Sequence, residues 1–253
     1  MTQTRSEAPG SRRPGQSRAA GAVVRVVLTL LAILVVEVIV VGLALSVPAL
    51  ALAAVLPAID SPWLRVVAAA FAAAPSYVLF ALCLMLLSAA STRLTGARTP
   101  PDAQLRLADM SWPLMQWARY LASSHVVRLF AGVLFKGTPM WTWYLRMNGA
   151  TLGRGVYVNS LSVSDHNLLH FGDQVVIGGE AHVSGHTVEG GYVKTGRVVL
   201  GDRVTIGLST VVEIDVEIGP GAQVGALSFV PKHARLEGGQ VYVGIPVRVL
   251  ERT

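Results

Sequence analysis

From Leu200 onward the chain repeats every six residues: LGDRVT, IGLSTV, VEIDVE, IGPGAQ, VGALSF, VPKHAR. Leu200, Ile206, Val212, Ile218, Val224 and Val230 open successive hexads, and Gly often follows the opening residue. This period matches neither the alternation of a lone strand nor the 3.6 of a helix. It fits a parallel β-helix, in which each hexad forms one flat side of a prism. The opening aliphatic residue then points into the shaft, and Gly is expected at a corner with positive φ. Three hexads close a coil, so Leu200–Glu217 and Ile218–Arg235 are two successive turns. Weaker hexads open at Leu152, Val158, Phe171, Ile177 and Val183.

The N-terminal half has a different character. Residues 1–21 are polar, with Arg5, Arg12, Arg13 and Arg18 among Pro, Gly and Ser, and read as a disordered basic tail. Two apolar runs follow, Ala22–Val47 and Leu64–Ala90, each longer than the roughly 20 residues a spanning helix needs. The first lacks the short apolar core and cleavage site of a signal peptide. Residues 22–90 therefore read as a transmembrane helical hairpin, residues 91–147 as juxtamembrane interfacial helices, and residues 148–253 as the repeat domain. Arginines cluster before the first run and after the second (Arg93, Arg98, Arg106). The positive-inside rule then puts both termini on the cytoplasmic side of the cytoplasmic membrane. The formal charge of +6 is explained by this bias, and no basic groove with interleaved aromatics calls for nucleic acid. Cys83 is the only cysteine, which excludes an intrachain disulfide or thiolate metal site.

Local features refine the hairpin. Glu37, in the first run, is either a substrate or proton contact at membrane depth or a protonated acid bonded to a neighbouring helix. The stretch Pro48–Pro57 is either an external turn or a re-entrant dip, and Pro75 is expected to kink the second run. In residues 103–136, Trp112, Trp117, Tyr120, Phe130 and Phe135 alternate with charges and are broken by Pro113, as in amphipathic helices at the headgroup layer.

The hexad register fails between His186 and Val199, which predicts a loop leaving the prism, and such insertions often line a binding face. The segment Tyr242–Arg248 departs from the beat and is expected to form a cap.

The clean hexads resemble the left-handed β-helix acyltransferases of the hexapeptide-repeat superfamily. A closer resemblance rests on His186, Glu189, Gly191, Lys194, Gly196, Val198, Leu200 and Gly201 at their spacings. This string is similar to the membrane-associated C-terminal repeat domains of poly-lysine synthetase-type non-ribosomal peptide synthetases. The lead-ins Lys136–Pro139 and Tyr144–Gly153, and the closing Gly244–Arg248, look like the borders of those domains. Asn167 stands where that family more often has Asp, and no adenylation or carrier domain is found in this sequence.

The resemblance implies a membrane-anchored acyltransferase that takes an acyl or aminoacyl group from a thioester. Coenzyme A or the phosphopantetheinyl arm of a carrier protein would be the donor, with no tightly bound cofactor. His186 would be the general base and Glu189 its partner or a contact to a cationic acceptor. A corner N–H at Gly207 would face the oxyanion. Pantetheine would lie along Gly225, Ala226 and Ser228, with Lys232 and Arg248 at its phosphates. Such prisms often trimerise. Prisms of the γ-carbonic anhydrase type carry zinc on three histidines, but Leu208 and Glu213 stand where two of those would be, so no metal is expected. The non-enzymatic alternative is a membrane scaffold built on the same repeat.

Overall fold

The computed structural model describes residues 14–251. Most of the expected basic tail, residues 1–13, lies outside the described residues, and helix α1 (Pro14–Val55) covers the rest of it. Helix α2 (Pro62–Leu94) returns antiparallel to it after a short 3-10 turn at Leu56–Ala58. Both helices are long and apolar enough to cross a membrane. The stretch around Pro48 is neither a turn nor a re-entrant dip, because α1 runs through it. Its Leu and Ala neighbours have the strongest helix preferences and outweigh the one hydrogen bond that Pro48 removes. At the tip, the Arg65 guanidinium donates to the Ile59 carbonyl at 2.8 Å and satisfies a group left bare by the turn.

The segment expected to lie as juxtamembrane interfacial helices departs from that expectation. Pro113 does not break a helix; it occupies the first turn of helix α3 (Trp112–Val127), where its missing N–H costs nothing. Of the aromatics expected at the headgroups, Trp112 is exposed, whereas Tyr120 and Phe135 are buried. Here α3 and the following helix Pro139–Met147 are a packing layer, wedged between the hairpin and the repeat domain. Ala81, Leu84 and Met85 of α2, Val127 of α3 and Trp141, Tyr144 and Leu145 of the next helix belong to one apolar cluster that continues into the prism. Two polar contacts pin this layer: Ser88 and Ser123 hydroxyls lie 2.9 Å apart, and Thr92 Oγ1 donates to Asn148 Oδ1 at 3.3 Å.

Residues 151–243 form the prism, with three faces of mostly two- or three-residue parallel strands. On the first face Leu152, Phe171, Leu200, Ile218 and Leu236 are in register. On the second the column is Val158, Ile177, Ile206, Val224 and Tyr242. Val183, Val212 and Val230 make the third. Ile206, Val212, Ile218 and Val224 are at most 2% exposed and share one interior, as the six-residue period predicts. Tyr242 still follows the beat; the chain leaves it only at Arg248–Val249, which turns back antiparallel onto Val241–Val243.

The corners correct one expectation. Gly172, Gly201 and Gly207 do not have positive φ; the left-handed residues are two places further on, at Gln174, Arg203 and Ser209. Gly is needed at its place because the next coil passes too close. A Cβ on Gly207 would stand 2.5 Å from the backbone nitrogen of Ala226. The Asp after Gly has a matching role: Asp202 accepts from the N–H of Asp173 on the coil before, and Asp173 from Arg154. Gly207→Ala is therefore expected to destabilise the fold by about 1–3 kcal/mol. Arg203→Gly, at an exposed left-handed position, should change stability by less than about 0.5 kcal/mol. Denaturant unfolding of the two variants checks both values, and equal tolerance would contradict the close-approach account.

Candidate functional site

One corner column of the prism holds Asp165, Asp215 and His233, all with positive φ. The off-register segment leaves from this corner, between Gly185 and Gly196. These two lie against Asp165 and Asp215 in the coils on either side, and the Gly196 N–H donates to the Gly185 carbonyl at 2.9 Å. The segment is not an irregular loop. It is an antiparallel hairpin of His186–Glu189 and Tyr192–Thr195, and Gln104–Arg106 from the α2–α3 linker adds a third strand.

This geometry brings His186 onto a carboxylate, but not Glu189. Asp165 Oδ2 lies 2.5 Å from His186 Nδ1. Asp165 is fully buried, and its remaining capacity is filled by Thr99 Oγ1 at 2.6 Å and Ser164 Oγ at 2.9 Å. Burial alone would raise its pKa, but the hydrogen bond and charge of His186, with Thr99 and Ser164, outweigh it and hold the carboxyl below its usual range. With Asp165 ionised, Nδ1 carries the ring proton and Nε2 presents a lone pair. Trp117 of α3 packs edge-on against the imidazole, ring centres 5.1 Å apart, and its buried indole N–H has no partner. The arrangement is an oriented imidazole, partly open to solvent, roofed by a helix that also packs on the hairpin helices.

The other expected site residues do not converge on His186. The Glu189 carboxylate pairs with Lys194 Nζ at 2.7 Å and with Lys232 Nζ. These bonds hold it down to about 2, and Lys232 is a strap between the inserted hairpin and the prism, not an open phosphate contact. A cavity of about 260 Å³ beside them is lined by Asp102, Lys194, Asp215 and His233. The Gly207 N–H is already donated to Val224 O at 2.8 Å, so it cannot face an oxyanion. Gly225 stacks under Gly207 at a different corner from the hairpin, with Ala226 exposed beside it. Ser228 is buried and accepts from the Gly244 N–H. Arg248 is exposed on the last strand.

Sequence reasoning missed Asp165, Thr99 and Trp117. Asp165 sits at a corner position one coil ahead of the insertion, and this stacking was the available signal. Asn167 has a clear role: its Nδ2 donates to Thr99 O at 2.8 Å while its Oδ1 accepts from Thr99 N. An Asp could make only the second bond. His166 and His182 stay outside the dyad. His166 is buried; its Nε2 donates to Val163 O, and its backbone N–H donates to the Tyr120 hydroxyl oxygen at 2.8 Å. Burial, reinforced by the Arg128 charge, pushes it down to about 4. The described residues contain no group of three or more His, Cys, Asp or Glu side chains that could hold a metal ion.

No family model matches the sequence. The chain is 23% identical over 150 residues to the delta-poly-L-ornithine synthetase of Acinetobacter baumannii, a match covering 56% of this chain but only 11% of that protein. Structural neighbours are hexapeptide-repeat acetyltransferases. They include a maltose O-acetyltransferase from Clostridium difficile (22% identity, TM-score 0.37, 42% of this chain and 60% of that one). Another is a Vibrio cholerae enzyme solved with acetyl coenzyme A (23%, 0.37, 41% and 60%). A third is the Neisseria gonorrhoeae serine acetyltransferase (18%, 0.37, 84% and 66%).

The protonation states give a testable stability profile. The unfolded chain binds a proton on His166 near pH 6.5, the folded chain only near 4. Stability should therefore be full above pH 6.5 and fall on the way to pH 4, by about 3 kcal/mol from this group. Asp165, held below 3.8, adds a loss that begins beneath that value. Denaturant unfolding between pH 3 and 8 measures the profile, and Asp165→Asn should remove the most acidic limb only.

Proposed function

We propose that this chain is a membrane-anchored acyltransferase with His186 as general base and Asp165, in place of Glu189, as the group that orients it. The single observation that carries the reading is the contact between the buried Asp165 and His186 Nδ1. His186 Nε2 takes a proton from an amine or hydroxyl acceptor as the acceptor attacks the thioester carbonyl. The tetrahedral intermediate then breaks its carbon–sulfur bond, and the imidazolium returns the proton to the departing thiolate. Asp165 stabilises the imidazolium between the two steps.

The donor is read as acyl-coenzyme A or a carrier-bound thioester. Support comes from the match to a poly-amino-acid synthetase and from a repeat prism of the kind that hexapeptide-repeat acyltransferases share. Aminoacyl transfer, and peptide-bond formation in particular, is the narrower form of the same proposal, as are a carrier-protein partner and a trimer. Anchoring rests on the exposed apolar flank of α1, where Leu28, Leu31, Leu34 and Val38 are each more than half exposed. A hairpin with that surface is stable in lipid, with both termini on the cytoplasmic side under the positive-inside rule.

His186→Ala is expected to lower turnover by about 10²–10⁴-fold with little change in thermal stability. Unchanged turnover against a panel of acyl-coenzyme A and acyl-carrier donors would remove the base. Thr99→Val should reduce kcat about tenfold, by leaving Asp165 Oδ1 without its hydroxyl donor, with KM nearly unchanged. Thr99→Ser should restore the rate, which separates positioning from a packing effect.

A further inference from the structure

Helix α3 has two working sides. One carries Trp117 to His186, and the other carries Arg119 into the hairpin. Arg119 lines two cavities, of about 410 and 320 Å³, that share Arg119 and Thr95. The first is bounded by Leu28, Ala32 and Ile33 of α1 and by Trp112, Met115 and Gln116 of α3. The second, between α1 and α2, is bounded by Val36, Ile39, Leu43, Leu87, Ala90 and Leu94. Leu28 to Leu43 is a continuous stripe along α1, about 22 Å long at 1.5 Å per residue.

Arg119 is partly buried there, and an anion would stabilise its guanidinium, because taking a cation out of water beside aliphatic side chains is costly without one. Arg119 has none within ion-pair distance among the described residues; its one hydrogen bond is to Ser91 Oγ at 3.1 Å. Glu37 of α1 is within reach of the Arg119 charge but forms no ion pair with it. It comes from the buried side of α1, not from the groove. The polar groups Thr29 and Gln116 lie on the Trp112 side of Arg119, Thr95 borders both cavities beside it, and the aliphatic groove runs away on the other side. Polar, cationic and apolar zones thus follow in the order of headgroup, phosphate and acyl chain.

The geometry points to a bound phospholipid, its phosphate on Arg119 and one acyl chain in the α1–α2 groove. The site depends on the membrane reading given above, and not on the acyl-transfer reading. Charge complementarity favours an anionic lipid from the cytoplasmic leaflet. The occupant would brace α3 from behind, on the helix that roofs His186.

The test uses the full chain in detergent with phosphatidylglycerol, followed by native mass spectrometry. One lipid per chain is expected to survive delipidation. Arg119→Gln should weaken binding about tenfold, the loss of a charge-assisted contact, and Ala90→Trp should weaken it by obstructing the groove without touching the charge. Arg65→Gln, at the hairpin tip, should bind as the unaltered chain does. Inorganic phosphate should not displace the lipid. Wild-type affinity in both Arg119→Gln and Ala90→Trp, or displacement by phosphate alone, would overturn the site. Release of the unaltered chain from membranes by alkaline carbonate, scored before any lipid is added, would overturn the membrane reading itself. Acyl transfer lost in His186→Ala with lipid retained would leave the two proposals separately standing.

Discussion

Close passage of one coil over the next at the prism corners is the constraint from which the rest of the structure follows. Flat faces two or three residues wide cannot hold a fold by hydrogen bonds alone. They work because each aliphatic residue stacks on its counterpart one coil away, from Leu152 through Leu236 on the first face. That stacking holds only if the corners are tight enough for coils to pass in contact. Gly178, Gly207 and Gly225 leave no room for a Cβ, and Asp173 and Asp202 use their carboxylates to satisfy the backbone that the turn exposes. The regularity also makes an insertion cheap. A segment can leave between two corners without disturbing the column, provided its ends are held together, as Gly185 and Gly196 are.

The insertion gains its chemistry from this arrangement. Its first residue, His186, leaves the corner directly beside the residue that occupies the same corner one coil earlier, Asp165. No long-range folding event is needed to bring acid and imidazole together; coil stacking does it. The dyad is then tied to the hairpin helices through the linker after α2. Thr99 donates to Asp165, Asn167 grips the Thr99 backbone, and Thr195 Oγ1 donates to Pro100 O at 2.6 Å. The carboxylate that orients the His186 imidazole is thus held by the chain that leaves the hairpin, so the two halves of the molecule meet at this dyad.

Much of this was legible in the residues, and the limits have physical causes. The hexad beat located the prism, its interior residues and the point where His186 leaves it, because a period of six is a one-dimensional signal. The antiparallel pairing inside the insertion and the docking of Gln104–Arg106 were not legible, since β-pairing between distant segments has no period. The resemblance implies Glu189 as the partner of His186 or as a contact to a cationic acceptor. In a hairpin it faces Tyr192 across the strands and reaches outward to Lys194 and Lys232. The resemblance implies a corner N–H at Gly207 that faces an oxyanion. It is instead a ladder donor whose missing side chain makes room for the next coil. In the juxtamembrane segment, Trp and Tyr among arginines suggested a water–lipid boundary, but the same residue types serve where a helix layer must pack on both an apolar hairpin and a polar corner.

That two-sided layer is where the architecture goes beyond a repeat domain joined to an anchor. A soluble prism could present His186 on its own hairpin, and a flexible tether would hold it near a bilayer. Here Trp141, Tyr144 and Leu145 join the hairpin core to the prism core in one cluster, which fixes the height and rotation of the site relative to α1 and α2. A rigid junction costs conformational freedom that a tether keeps, and under the proposed acyl transfer it is useful only if the acceptor or donor arrives from a defined direction. The roof over His186 is Trp117, and its helix presents Arg119 to the apolar groove on the far side. Orientation relative to the helix pair, rather than mere retention near it, is therefore the property this junction supplies.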